Sequence, residues 1–322
     1  MKAIRVHQPG SREALIYEDV PDPTPGPGEA LVRIEAAGVN FVDVYWRTGA
    51  YQQPLPVTLG QEAAGTVVGL GHGVTEVKAG DRVGLYGSYG SYAELTVVPA
   101  QRLIPIPDGV STRDAAAALL QGMTAHYLAT DTFPLGSGHT CLIQAAAGGV
   151  GLLFCQIAHL RGARVIGTTS TEAKAHEARE AGADEVILYT EKDYVEETRR
   201  LTDGKGLDVI YDSVGKTTFL PGFDLLKPRG MMVLFGQSSG AVDPVPPSLL
   251  QSKGSIYLTR PTLQSYVITR DELLNRAAEV LGWVQTGQLK LKVHAEYPLA
   301  DAARAHAALE NRESTGKLLL IP

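Results

Sequence analysis

The 322-residue sequence predicts an α/β protein in which a doubly wound parallel sheet occupies the middle of the chain, set into a mainly β domain built from both chain ends. Three observations predict it. Strand-like and helical segments alternate from about residue 119 to 263, the rhythm of a parallel sheet covered on both faces. One such strand, Leu142-Ile143-Gln144-Ala145, runs into the tight turn Ala146-Ala147-Gly148-Gly149-Val150-Gly151. Before about residue 118 the segments are shorter, alternate with period two and are punctuated by glycine and proline.

In the first part, 1–118, Ala30, Val32, Ile34 and Ala36 alternate with Leu31, Arg33 and Glu35, as on a half-buried strand. Pro21 to Gly28 is a rigid connector that suits neither sheet nor helix. Short strands follow at Gly65 to Leu70 and Arg82 to Tyr86. Ser111-Thr112-Arg113-Asp114 resembles a capping box and opens an alanine-rich helix toward Tyr127. In the second part, 119–263, strands are expected at Cys141–Ala145, Arg164–Thr168, Glu185–Tyr189, Asp208–Asp212, Met232–Phe235 and Ser255–Thr259. The last part, 264–322, begins with an amphipathic helix, Asp271 to Gln285, ends in the apolar run Leu318 to Ile321, and returns to the first domain.

The glycine turn carries the chemistry. Val150, Leu153, Phe154, Ile157 and Ala158 follow it at helical spacing, so a helix N-terminus opens at the turn. Its unpaired N–H groups and positive dipole end collect phosphate. Gly148 lets the backbone approach a pyrophosphate and Gly151 lets helix and strand pack closely, while Ala146 replaces the first glycine of the usual pattern. With the next strand, Ala163 to Thr168, the unit reads as dinucleotide-binding. After that strand comes Thr168-Thr169-Ser170-Thr171-Glu172-Ala173-Lys174. Hydroxyls and a cation favour a ribose phosphate, and Glu172 falls in the first turn of the next helix, where an acid suits the dipole. The expectation is NADPH over NADH. Ligands on such sheets lie beyond the carboxyl ends of the strands, which gathers residues 168–174, Tyr189, Asp212, Ser213 and 235–239 around one cleft.

A net charge of −6 gives no general pull toward nucleic acid or an anionic membrane. Residues 1–10 lack the apolar run of a signal peptide, and a cytoplasmic location is expected. Cys141 and Cys155 suit core packing; two such positions assemble neither a disulfide framework nor a structural zinc site. The eight histidines lack metal-ligand spacing, and no Ser/His/acid or paired-carboxylate constellation is evident.

Several motifs in register resemble one family. Gly38-Val39-Asn40-Phe41-Val42-Asp43-Val44-Tyr45-Trp46-Arg47-Thr48-Gly49, Ala145 to Gly151, Tyr211-Asp212-Ser213-Val214-Gly215, Phe235 to Gly240, Thr259-Arg260-Pro261 and the Leu-Leu-Ile-Pro terminus are similar to the quinone oxidoreductases. These form the zeta-crystallin-like branch of the medium-chain dehydrogenase/reductases, and the resemblance spans essentially the whole chain. It implies a GroES-like, partly open β-barrel catalytic domain plus a Rossmann domain. It also implies a homodimer, often paired through the last strand of the nucleotide sheet, here near Ser255–Thr259. Zinc-dependent relatives carry a cysteine where Asn40 stands and a histidine where Gln61 stands, and the four-cysteine lobe is missing. Asn and Gln are poor zinc ligands, so a zinc-independent enzyme is implied.

By matching motif, the resemblance places Asn40, Tyr45 and Thr124 at the nicotinamide end and Gly148, Gly149 and Val150 on the pyrophosphate. Ser170, Lys174 and Tyr189 surround the adenosine phosphate, with Tyr189 against the adenine. Ser213, Phe235 and Gly236 line the cleft, and Arg312 reaches the cofactor from the C-terminal segment. The implied reaction is transfer of reducing equivalents from NADPH to a quinone or another small conjugated carbonyl, with the Asn40 amide and Tyr45 hydroxyl as donors to the developing oxyanion. Tyr45, Trp46, Tyr51, Tyr86, Tyr89 and Tyr92 offer aromatic faces for a flat acceptor. The nearest alternative is NADPH-dependent reduction of an enone or alkenal double bond. From another class comes an NADPH-binding structural or RNA-binding protein, which the acidic balance and the lack of a basic tract oppose.

Overall fold

The computed structural model describes residues 1–322, and the chain divides into two compact units, Thr124–Tyr266 and Met1–Met123 with Val267–Pro322. No helix is long and apolar enough to cross a membrane.

The Thr124–Tyr266 unit is a six-stranded sheet in the order Glu185–Leu188, Arg164–Thr169, Thr140–Ile143, Leu207–Asp212, Leu226–Leu234, Tyr257–Thr259. Every neighbouring pair is parallel. Helices Gly149–Leu160, Glu172–Glu180 and Tyr194–Leu201 fill the crossovers. Strands covered on both faces must be apolar throughout, and Cys141, Leu142, Ile143, Val165, Ile166, Val209, Ile210 and Tyr211 are all buried. The strand order reverses between Thr140–Ile143 and Leu207–Asp212. At such a switch point the two flanking crossovers leave on opposite faces and open a crevice beyond the strand ends. Both cysteines are free and buried here; burial pushes the Cys155 thiol up to about 12, and neither is a reactive thiolate.

Several strand limits differ from the sequence expectation: the strand expected at Cys141–Ala145 ends at Ile143, where the chain enters the glycine turn, the strand expected from Gly65 starts at Glu62, and two further starts have identifiable causes. The fifth strand starts at Leu226, not Met232, because its register skips from Leu207–Leu226 to Val209–Met231. The inserted residues include Pro228 and a left-handed Arg229 (φ 64°), so a bulge inside the strand reads as a turn in the sequence. The sixth begins at Tyr257, since Gly254 and Ser255 both take positive φ and hold the chain in a turn.

In the other unit, the order is Val293–Pro298, Lys317–Ile321, Glu29–Val39, Glu62–Leu70, Arg82–Tyr86, Ile104–Pro105, with Leu95–Pro99 also on Glu29–Val39. Only the first pair is parallel. Ala30, Val32 and Ile34 face the core, as the alternation requires; a register shift after Ile34 passes that face to Ala37 and Val39, and Ala36 is buried outside that core. Helix Thr112–Tyr127 starts where Ser111 Oγ accepts from the Asp114 N–H at 3.0 Å. The C-terminal strand Lys317–Ile321 pairs with Ala37–Val39, stitching the last residues of the chain to residue 40. That register positions the polar cluster described below.

Candidate functional site

At the carboxyl end of Thr140–Ile143 the chain turns through Ala145, which sits in the left-handed region (φ 56°) at a cost of about 1 kcal/mol for alanine. The turn is fixed by Thr168. Its hydroxyl donates to Gln144 Oε1 at 2.6 Å, and its carbonyl accepts from Ala146 N–H at 3.0 Å. Ala146, where the pattern has glycine, fits because its neighbour on the next strand is Gly167. A Cβ there would lie 2.7 Å from the Ala146 Cβ.

Helix Gly149–Leu160 then begins at Gly148 with no side-chain cap. The N–H groups of its first turn have no intrahelical partner by construction, and no side chain claims the cap position. Gly148 has ordinary backbone angles (φ −75°), and an added Cβ would meet only the Ala145 carbonyl oxygen, at 3.2 Å. Gly151 is confined: a Cβ would collide with Ala145 O and lie 2.6 Å from Ala146 O. The backbone therefore fits a pyrophosphate group held by N–H groups at a close-packed helix start.

Beyond the next strand, Thr168 and Thr169 are buried and spent internally, Ser170 and Lys174 are partly exposed, and Thr171, Glu172 and Ala173 between them are exposed. Helix Glu172–Glu180 is capped by Thr171, whose side chain accepts from the Lys174 N–H at 3.3 Å. Glu172 lies in its first turn and pairs with Arg179. Tyr189 is exposed at the end of its strand. Asp212 spends its carboxylate on Val214 N–H, Gly215 N–H and the Thr218 hydroxyl, shaping the turn that presents Ser213. Gly236 passes so close to Ser213 that a Cβ would meet the Ser213 carbonyl oxygen at 2.6 Å; Phe235 beside it is half-buried. Thr124 is buried on helix Thr112–Tyr127.

In the Met1–Met123 and Val267–Pro322 unit, Asn40 precedes the short helix Phe41–Arg47, which carries Tyr45. Tyr45 is half-buried, with the Tyr51 ring edge-on at 5.3 Å and the Phe41 ring at 6.3 Å. The six aromatics do not share one face. Tyr92 is fully buried with its hydroxyl on Asp43, Tyr86 is buried, and Trp46 and Tyr89 pack on the apolar core. Asn40 is also arranged otherwise than as a free donor. Its amide hydrogens go to Gly38 O at 3.2 Å and Glu62 Oε2 at 3.0 Å. Arg312 is exposed in the turn after helix Ala302–Glu310, with a left-handed φ of 59°.

Two buried polar systems escape a reading of the sequence. In one, Lys317 pairs with Glu62, both almost without exposure. In the other, Arg47 donates to His306 Nδ1 at 3.1 Å, which leaves Nε2 as the proton-bearing nitrogen, 3.3 Å from the Tyr92 hydroxyl. Tyr92 in turn donates to Asp43 Oδ2 at 2.9 Å, and the Asn40 backbone N–H donates to the same oxygen at 2.9 Å. Burial pushes the Asp43 carboxyl up to about 7, while burial and the adjacent Arg47 push the His306 imidazole down to about 3. The members come from residues 40–47, 62, 92, 306 and 317, too far apart in sequence to form a motif.

A parallel sheet with a glycine-built helix start at its switch point, joined in one chain to a mainly antiparallel unit made from both chain ends, defines a medium-chain dehydrogenase/reductase. Residues 26–108 match the alcohol dehydrogenase GroES-like domain and residues 149–283 the domain described as zinc-binding dehydrogenase. A quinone oxidoreductase of Pseudomonas aeruginosa is 44% identical over 100% of this chain and 99% of its own length. The solved Escherichia coli quinone oxidoreductase complexed with NADPH is 43% identical, covers 100% of both chains and superposes with a TM-score of 0.98. A 2-haloacrylate reductase of a Burkholderia species is 39% identical over 98% of both chains. The chain belongs to the quinone oxidoreductase family.

The zinc-binding description does not fit the residues present. Asn40 and Gln61 offer neutral amides, and the neighbouring carboxylate, Glu62, is already neutralised by the Lys317 ammonium. A zinc ion wants thiolate or imidazole and would have to displace a buried cation.

Proposed function

We propose that the protein is a zinc-independent NADPH:quinone oxidoreductase, acting in the cytoplasm as a homodimer. One observation carries this reading: the uncapped helix start at Gly148–Gly151 on the sheet's switch point, in a chain of the quinone oxidoreductase family. The relative solved with NADPH supports the same cofactor here. Gly149 and Val150 hold the pyrophosphate through backbone N–H groups, Gly148, whose own N–H is taken by the Ala145 carbonyl at 2.9 Å, lets the backbone approach it, and Ser170 and Lys174 take the ribose phosphate. Tyr189 covers the adenine. Ser213, Phe235 and Gly236 line the crevice, Asn40, Tyr45 and Thr124 serve the nicotinamide end, and Arg312 adds a cation. Exposed Tyr257 and Leu258 on the edge strand suit pairing with a second copy.

NADPH supplies the hydride when bound. The chain's task is to hold donor and acceptor together, exclude water and stabilise the negative charge that develops on the acceptor oxygen. Since both Asn40 amide hydrogens are committed, the Tyr45 hydroxyl is the donor in this account and Asn40 fixes the start of its helix. Tyr45→Phe is expected to lower kcat with quinones about tenfold to a hundredfold while changing the Kd for NADPH little. Steady-state kinetics with a fluorescence titration check this; unchanged kcat removes Tyr45 from the mechanism. Turnover of quinones against enones such as 2-cyclohexenone tests the substrate class. Higher kcat/KM for quinones supports the proposal, and preference for the enone overturns it in favour of double-bond reduction.

A further inference from the structure

The Lys317–Glu62 pair has no evident purpose as a source of stability. Replacing a buried ion pair with apolar side chains is often neutral or stabilising, so its presence asks for another role. The surrounding geometry supplies one. Lys317 Nζ donates to Glu62 Oε2 and, at 2.9 Å, to Asn40 Oδ1. Gln121 Nε2 donates to the same Asn40 oxygen at 3.3 Å. Glu62 takes Asn40 Nδ2 on one oxygen and the Leu120 N–H, at 2.6 Å, on the other. Because an ammonium can only donate, Lys317 fixes which end of the Asn40 amide faces it.

The backbone is built around this cluster. Pairing of Leu318 with Val39 and Leu319 with Gly38 lays Lys317 beside Asn40. Gly38 leaves room for it: a Cβ there would collide with Glu62 Oε2 and lie 2.6 Å from Lys317 Cε. Helix Phe41–Arg47 follows directly, its first turn tied back by the Asn40 N–H to Asp43 bond, and Tyr45 projects from it.

We propose that Lys317 is a positioning residue for quinone reduction: its buried ammonium locks Asn40 and Glu62, and through Asn40 the helix carrying Tyr45, in place of the metal ion that the zinc-binding description implies. The inference rests on the functional reading above, and wild-type turnover separates the two. If the wild type does not reduce quinones, that reading falls and this inference with it. If it does, the variants decide this inference alone.

The test is a double-mutant cycle read with NADPH and 9,10-phenanthrenequinone, beside thermal unfolding. Lys317→Met is expected to lower kcat about tenfold to a hundredfold, with the KM for NADPH nearly unchanged. Lys317→Met leaves Glu62 charged and unpaired, so Glu62→Gln/Lys317→Met is made as well. That pair is expected to recover the unfolding midpoint without recovering kcat. In an Asn40→Ala background, Lys317→Met should change kcat by less than about threefold, since it acts through the residue already removed. A charge-free double variant with wild-type kcat overturns the proposal. So does full multiplication of the Asn40 and Lys317 effects.

Discussion

Gly151→Ala is expected to destabilise the protein by about 3 kcal/mol or more, whereas Gly148→Ala, three residues earlier, costs about 1 kcal/mol or less and weakens NADPH binding about tenfold to a hundredfold. The two glycines sit in one turn but are there for different reasons. At Gly151 the added methyl would collide with two consecutive backbone carbonyls, those of Ala145 and Ala146, the Ala146 carbonyl carbon lying 2.7 Å away. No rotamer relieves that, so helix Gly149–Leu160 must move off the strand that precedes it. At Gly148 the backbone angles suit alanine, and the one tight contact, the Ala145 carbonyl oxygen at 3.2 Å, is relieved by a shift of a few tenths of an ångström. The methyl there acts on the ligand, holding a pyrophosphate off the first-turn N–H groups. Thermal unfolding and a nucleotide titration on both variants check the contrast. Equal stability losses, or equal affinities for NADPH, contradict it.

The second large effect is on the pH dependence of stability, and it comes from Asp43 and His306. Asp43 keeps its proton up to about 7 in the folded chain against 3.8 in an unfolded one, so the folded state holds the extra proton between. That contribution falls as pH rises through this window. His306 is neutral down to about 3 when folded and protonates near 6.5 when unfolded. Its contribution rises with pH from about 3 to 6.5. Each full proton is worth about 1.4 kcal/mol per pH unit, and the signs are opposite, so between about pH 4 and 6.5 the pair offsets itself. Removing one member exposes the other. Relative to wild type, Asp43→Asn should gain stability as pH rises from 4 to 6.5, and His306→Gln should lose it. Both substitutes can keep the polar links. An asparagine carbonyl at position 43 still accepts from the Asn40 N–H and the Tyr92 hydroxyl, and a glutamine amide at position 306 accepts from Arg47 while donating to Tyr92. Unfolding midpoints at pH 4.5, 5.5 and 6.5 decide the matter; two variants that track the wild type would contradict the assignment.

Local order is legible where it is written locally. The strand toward Gly148–Gly151, the helix from Thr112 and the strand Glu29–Val39 each depend on spacing within a dozen residues and each forms, although the first ends at Ile143 rather than Ala145 and the last loses its alternation at a register shift after Ile34. The bulge before Met231 reads as a turn because Pro228, Arg229 and Gly230 look like one; only pairing with Leu207–Asp212 keeps them in the sheet. The family resemblance rests on short motifs at strand ends, turns and the helix Phe41–Arg47, and it agrees with the relatives and the solved NADPH complex. Lys317 is out of reach of the sequence. A lysine at the head of an apolar strand reads as a solvated end, and its partner Glu62 is 255 residues away in sequence. Arg47, Tyr92 and His306 are hidden for the same reason, since a buried charge is recognisable only once its partner is in view. Asn40 stands out in the sequence, but as a donor to substrate; the packing that spends its amide on Glu62 and Gly38 is a tertiary fact.

NADPH-dependent quinone reduction is read by following nicotinamide absorbance as the protein is mixed with NADPH and 9,10-phenanthrenequinone, with NADH as the comparison cofactor. Saturable oxidation of NADPH is expected, with kcat/KM well above that for NADH. Absence of oxidation in a sample shown to bind NADPH, or a preference for NADH, would contradict it.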